Sequence, residues 1–410
     1  MAEVAFKDEL LDAQFVRTVG TAPYGGADIG ECLAAAAQVD GLDLGSWYSA
    51  WTSLAERVWA LAEDAAADGQ AETARSAYLR ASNYFRTAGV MLMAAPLDAR
   101  LVRSNERQTK AFRRGAELLD APAEVIEIPF ENTTLPGYFF PAPGRSGPGP
   151  LLILVGGYDG TAEELYFLSG AAASARGYHV LAFDGPGQGS ALIELGLVLR
   201  PDWETVIAPV VDWAIERADV DPERIALVGL SLGAHLAPRA ASAEHRLAAC
   251  AADCGSFDLY ASALERIPPP LVAGLDGSSR WKAAVLGAVL RILARKPTAG
   301  WALRRGQLVH GVGSPMAYLR SLREYSLDGL AGKITCPTFV NNADADDIGA
   351  SAPRLAAELT CDHEFVAFTS AEGAGDHCEA GARTLYHARL FAWLDPILHP
   401  HRSADSDRCP

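Results

Sequence analysis

Basic charge is in short supply in this chain of 410 residues, where 35 Lys and Arg face 51 Asp and Glu for a formal net charge of −16. A field of that sign disfavours nucleic acid and anionic membrane surfaces, so neither is expected as a partner, and a neutral or apolar small-molecule substrate fits better. Long hydrophobic runs are missing as well. The most apolar stretch, Trp281 to Leu293, is interrupted by Lys282 and Arg291 and falls short of the about 18 residues that a membrane span requires. Met1 to Leu11 carries Glu3, Lys7, Asp8 and Glu9 where a secretory leader would have a basic start and an apolar core, so the expectation is a soluble, cytoplasmic protein. The 7 cysteines are odd in number and scattered, which excludes a disulfide scaffold. Cys250 and Cys254 have a zinc-like spacing without a second pair, and read as small buried residues of a strand. No metal and no cofactor is expected.

Two textures divide what is present. From Phe6 to about Leu119 the pattern is helical: Trp47, Trp51, Leu54, Val58 and Leu61 form one apolar stripe, and Ala74, Ala77, Tyr78, Ala81 and Phe85 form another after the loop Ala66 to Gln70. No repeat of fixed period accompanies them, so a helical N-terminal domain over residues 1–120 is expected rather than a solenoid. After Ala121 short apolar runs alternate with helical segments: Val125–Phe130, Gly137–Phe140, Leu151–Val155, His179–Phe183, Arg224–Val228, Leu247–Ala252, Thr338–Val340 and Glu364–Phe368. That alternation predicts an α/β fold with a mostly parallel, doubly wound sheet over residues 121–398. Pro141 to Pro150 reads as an exposed hairpin loop. The strandless interval at about 257–325 reads as a helical insertion, a lid over the strand ends, and residues 399–410 as a flexible tail.

The pentapeptide Gly229-Leu230-Ser231-Leu232-Gly233 follows a strand and opens a helix. A serine at such a turn has strained backbone angles and tolerates only small neighbours, hence the flanking glycines; its hydroxyl stands above the sheet. Ser231 is therefore a candidate nucleophile, and a serine nucleophile needs a base and an acid that orients it. His377 occupies the glycine-bearing loop Glu372 to His377 after the last strand, whereas His179, His235, His363 and His387 fall on strands or helices and His399 and His401 near the terminus. Asp344, Asp346 and Asp347 all follow the preceding strand as candidate acids. Oxyanion donors are expected in the N–H groups of Leu232 and of Tyr158, the latter in the loop Gly156 to Gly160; Gly157 and Asp159 of that loop are candidate substrate contacts. Asp184 to Gly189 lacks the residues of a phosphate-binding loop and reads as a tight turn.

These features together resemble the α/β-hydrolases. Ser46 to Trp51, Tyr78 to Tyr84, Gly156 to Asp159, Phe183 to Gly189 and Glu372 to Cys378 resemble, more narrowly, the group containing 2,6-dihydroxypseudooxynicotine hydrolase and the fungal polyketide-shortening hydrolases. The resemblance implies a helical N-terminal domain on a lidded hydrolase domain, a homodimer, and a Ser231, His377 and Asp346 triad. Asp346 is favoured because Ala343 fills the small-residue slot that precedes the acid in such enzymes, often a glycine. It also implies attack on a ketone or ester carbonyl, with cleavage of a carbon–carbon or ester bond. Two alternatives are a lyase that eliminates a carboxylate such as acetate, and a non-catalytic interaction protein on the same scaffold.

Overall fold

The computed structural model describes residues 3–275, 277–298 and 300–399. Residues 400–410 of the expected tail, with His401 and Cys409, lie outside the described residues, while His399 packs edge-on against Tyr178.

The N-terminal helices are α1 (Glu9–Val19), α2 (Ile29–Ala36), α3 (Leu44–Ala67), α4 (Ala71–Val90) and α5 (Ala99–Ala116). Asp8, Asp28, Asp43 and Asp98 begin four of them, each accepting a backbone N–H of the first turn, which satisfies donors a helix start otherwise leaves unpaired. Trp47, Trp51, Leu54 and Val58 are buried as the spacing predicts, but Leu61 is 46% exposed. Ala62 and Ala65 continue the buried line to the end of α3 instead. The reversal into α4 passes through Gly69 at φ +74°, and every member of the second stripe is buried.

The remainder forms an 8-stranded sheet in the order β1-β2-β4-β3-β5-β6-β7-β8, with strands β1 (Glu124–Phe130), β2 (Thr133–Phe140), β3 (Gly149–Val155), β4 (His179–Phe183), β5 (Val220–Leu230), β6 (Ala249–Asp253), β7 (Thr338–Ala343) and β8 (His363–Phe368). β1 and β2 are antiparallel, β2 meets β4 antiparallel, and from β4 to β8 every pairing is parallel. β3 is buried along its whole length, as a central parallel strand covered on both faces must be. One expectation is corrected. Pro141 to Pro150 is not a hairpin loop, because β4 lies between β2 and β3 in the sheet; the segment crosses over a strand that the chain has yet to form.

Between β6 and β7 the chain inserts helices Leu259–Glu265, Pro269–Leu275, Arg280–Leu293, Trp301–Val309 and Pro315–Ser321. They build their own small core from Ile267, Leu275, Leu286, Leu290, Leu319 and Leu322. Among the described residues no helix is long and apolar enough to cross a membrane.

Candidate active site

Ser231 sits at the end of β5 with φ +61°, a left-handed conformation that a serine adopts only when its surroundings impose it. The constraint is visible in the backbone. Ser231 N–H donates to the Asp253 carbonyl at 3.0 Å. A Cβ on Gly229 would lie 1.9 Å from the Gly233 carbonyl oxygen, and one on Gly233 would lie 2.2 Å from that of Val155. Both glycines are thus required by close backbone approach as the strand turns directly into the helix Gly233–Ala241.

His377 and Asp346 converge on this serine. His377 Nε2 is 2.8 Å from Ser231 Oγ, and its Nδ1 is 2.7 Å from Asp346 Oδ2. Asp346 also accepts the Ile348 and Gly349 N–H groups at 2.8 and 3.1 Å. Burial alone would raise its carboxyl, but the His377 hydrogen bond and charge and those two N–H groups outweigh it and hold the pKa below the ordinary 3.8. Asp344 is exposed and binds the Ser370 N–H and hydroxyl instead, and Asp347 is exposed at the surface. Three of the described histidines on strands and helices have structural partners: His235 faces the Ser256 carbonyl, His179 accepts the Ala142 N–H, and His387 bridges Tyr24 and the Leu168 carbonyl.

The loop after β3 covers the serine. A Cβ on Gly157 would lie 3.1 Å from Ser231 Oγ, so only a glycine leaves room for a group bound to that oxygen. Among the described residues the N–H groups of Tyr158 and Leu232 meet no hydrogen-bond acceptor. Gln188, in the tight turn read from sequence, donates to the Gly156 carbonyl at 2.6 Å, and buried Asp184 accepts the Ala162 and Ser190 N–H groups. The turn is a brace for this loop.

Asp159, a candidate substrate contact of this loop, is held between two arginines. Its two oxygens are held by Arg17 at 2.8 Å and Arg305 at 2.7 Å, and Arg17 also grips Glu164. Desolvation would raise the Asp159 carboxyl, but the two guanidiniums outweigh it and lower its pKa. Asp159 therefore ties α1 and the inserted helix Trp301–Val309 to the loop over Ser231. The same helix is followed by His310, which sequence reasoning missed. The Ser321 hydroxyl donates to the Tyr318 carbonyl, so it accepts from His310 Nδ1–H at 3.0 Å. That leaves His310 Nε2 to accept the Tyr158 O–H at 2.9 Å. Burial lowers the His310 pKa to about 4, which keeps the ring neutral.

A buried polar cluster lies behind His377. Arg383 donates to Asp253 at 2.6 Å and to the Cys378 carbonyl at 2.8 Å, and Asn341 bridges Asp253 and Glu379. Cys254, Cys378 and Glu379 all have positive φ (57°, 51° and 45°), so this cluster holds strained turns in place beside the strained serine. Cys254 is just past β6 rather than in it, and its partner is Cys378, not Cys250. Burial works against a charged His377, yet negative charge at Cys378 and the Asp346 carboxylate outweigh it and raise its pKa well above 6.5. Cys378 moves down to about 7, through the Cys254 hydrogen bond and the His377 charge, against burial.

Strand order, a strained serine after β5, and an acid and histidine after β7 and β8 define an α/β-hydrolase. The chain belongs to the alpha/beta hydrolase family, which it matches over residues 151–388, and it matches the esterase FrsA-like family over residues 36–263. It is 39% identical to the hydrolase LUC6 of Fusarium sp, covering 95% of this chain and 97% of that one. It is 38% identical to the 20-hydroxy-prefusarin hydrolase FUS2 of Gibberella moniliformis, over the same shares. The structure of a 2,6-dihydroxy-pseudo-oxynicotine hydrolase shares the fold, with a TM-score of 0.74 at 23% identity over 93% of this chain and 96% of that one. The protein is a hydrolase.

Proposed function

We propose that this hydrolase uses Ser231, His377 and Asp346 to attack the ketone or ester carbonyl of a polyketide-like or aromatic small molecule. The observation that carries the reading is the continuous hydrogen-bonded line from Asp346 Oδ2 through both His377 nitrogens to Ser231 Oγ, at 2.7 and 2.8 Å. His377 takes the hydroxyl proton as the Ser231–carbon bond forms. The developing oxyanion is met by the Leu232 and Tyr158 N–H groups, over the space that Gly157 leaves open. Collapse breaks the bond to the leaving carbon or oxygen, which receives the proton from His377, and water then releases the acyl group by the reverse sequence. A carbon leaving group must be stabilised as an enolate or phenolate-like anion, which suits a β-diketone or aryl ketone. The 20-hydroxy-prefusarin hydrolase supports a substrate of natural-product size.

The inserted helices act as the lid in this reading. Arg305 reaches from them to Asp159, and His310 to the Tyr158 hydroxyl, so closure of the insertion and the shape of the oxyanion loop are coupled. Tyr158 and Asp159 then work as struts, and substrate contact falls to Gly157 and the insertion.

The test is a fluorophosphonate label and a panel of aryl esters and β-diketones, with mass detection of an acyl group on Ser231. Ser231→Ala should lose both labelling and turnover with the fold intact. Retained turnover in that variant would remove the triad. Turnover in labelled water should place solvent oxygen in the released acid; its absence would replace hydrolysis by elimination.

A further inference from the structure

We propose that Cys254, Cys378 and His377 form a binding site for one thiophilic divalent cation, Zn²⁺ being the reference case, whose occupancy withdraws His377 from Ser231. Nothing in the triad uses either thiol. Yet one ligand atom from each of the three residues lies within 4.8 Å of the other two, and Cys378 Sγ is 3.7 Å from His377 Nε2. A tetrahedral zinc with Zn–S near 2.3 Å and Zn–N near 2.0–2.1 Å has S···N and S···S edges of about 3.6 and 3.8 Å. The first edge is already present, and the third ligand needs a shift of at most about 1 Å to close the set.

The backbone fixes this arrangement rather than side-chain mobility. Cys254 and Cys378 both occupy left-handed conformations, and Arg383 holds the Cys378 carbonyl against Asp253 at the end of β6. The two thiols are therefore presented toward each other from the end of β6 and from the His377–Glu379 turn. Cys254 Sγ also faces Glu379 Oε1 at 3.4 Å. Access comes from the serine side, where His377 and Cys378 are half-buried and Cys254 lies beneath them.

Binding balances simply. Two thiols release two protons, two metal–sulfur bonds and one metal–nitrogen bond form, and the dication with two thiolates adds no net charge to a buried site. The His377 Nε2 lone pair that accepts the Ser231 proton is the one the metal takes. The fourth position remains open to Ser231 Oγ or water. Metal binding stands on the cluster alone; only its effect on the nucleophile rests on the proposed triad.

Co²⁺ titration of the chelator-treated protein reads the site directly through thiolate-to-cobalt charge-transfer absorption, and fluorophosphonate labelling reads its consequence. We expect a thiolate–cobalt band saturating at one equivalent, displaced by Zn²⁺, with labelling lost in proportion and restored by chelator. Cys378→Ala and, separately, Cys254→Ser should each abolish the band and weaken Zn²⁺ binding by at least about tenfold, with folding checked by circular dichroism. A full-strength band in both folded variants, or no thiolate band in the native protein, overturns the site. A normal band with unimpaired labelling at saturating Zn²⁺ overturns the switch. Absence of labelling before any metal is added strikes the triad instead, and the cobalt spectrum still decides the site.

Discussion

Replacing Asp346 by asparagine removes one charge and one acceptor from a group whose neighbours are all donors. Its Oδ1 accepts from Ile348, and its Oδ2 accepts from both Gly349 and His377. Asparagine offers one oxygen and one amide nitrogen, so it has two placements. With the oxygen toward Ile348, its NH₂ faces the Gly349 N–H and His377 Nδ1, which forces the imidazole to carry its proton on Nε2 and to face Ser231 as a donor. With the amide flipped, the His377 bond survives but the Ile348 N–H is left against an NH₂, an unsatisfied buried donor worth about 1–3 kcal/mol. Either way the charge that stabilises the imidazolium is gone, and a hydrogen bond to a charged group is worth about 1.5–3 kcal/mol. The total of about 3–6 kcal/mol corresponds to a fall in kcat of roughly 10²–10⁴, at about 1.4 kcal/mol per tenfold. Asp344→Asn, at an exposed position held by Ser370, should change kcat by less than about threefold. Steady-state turnover of an aryl ester, with fold checked by circular dichroism, gives both numbers. Asp346→Asn within tenfold of the parent, or Asp344→Asn as damaging, would refute the assignment of the acid.

Asp159→Asn leaves the Arg17 and Arg305 guanidiniums facing a neutral amide, so it should destabilise by about 3–5 kcal/mol in urea unfolding and raise KM as the insertion loosens. Because the Asp159 pKa lies below its unfolded value, this pair contributes fully above about pH 4 and is lost only as pH falls through the folded pKa; native urea midpoints should show that order. Gly233→Ala drives a methyl group to 2.2 Å from the Val155 carbonyl, and should cost at least about 1–3 kcal/mol in thermal or urea unfolding together with loss of Ser231 labelling. A protonated His377 cannot accept the Ser231 proton, so kcat/KM should fall as pH drops through the His377 pKa. Burial lowers that pKa, but Cys378 and Asp346 outweigh it and raise it; the acid limb, measured with chelator present, should therefore lie above pH 6.5.

Local features were legible in the sequence because they follow from local physics. Apolar period marks α3 and α4, continuous apolar runs mark the strands, and a serine between glycines marks a turn whose strain excludes other side chains. Chain order then pointed to His377 and to three candidate acids after the preceding strand, and among these only the resemblance, through Ala343 in the small-residue slot, favoured Asp346. What sequence could not supply were partners separated along the chain. Pro141 to Pro150 looked like a hairpin because nothing local reports that β4 enters between β2 and β3. The ion pairs of Asp159 were invisible because Arg17 and Arg305, on elements far before and after it, become its neighbours only in the folded chain. Cys254 read as a small buried residue of the strand with Cys250, yet it lies just past β6 in a left-handed conformation and meets Cys378. Periodicity and motif are properties of a few consecutive residues, and the sequence determined them; ion pairs, strand insertion and thiol placement depend on which distant segments pack together, and only the tertiary structure decided those.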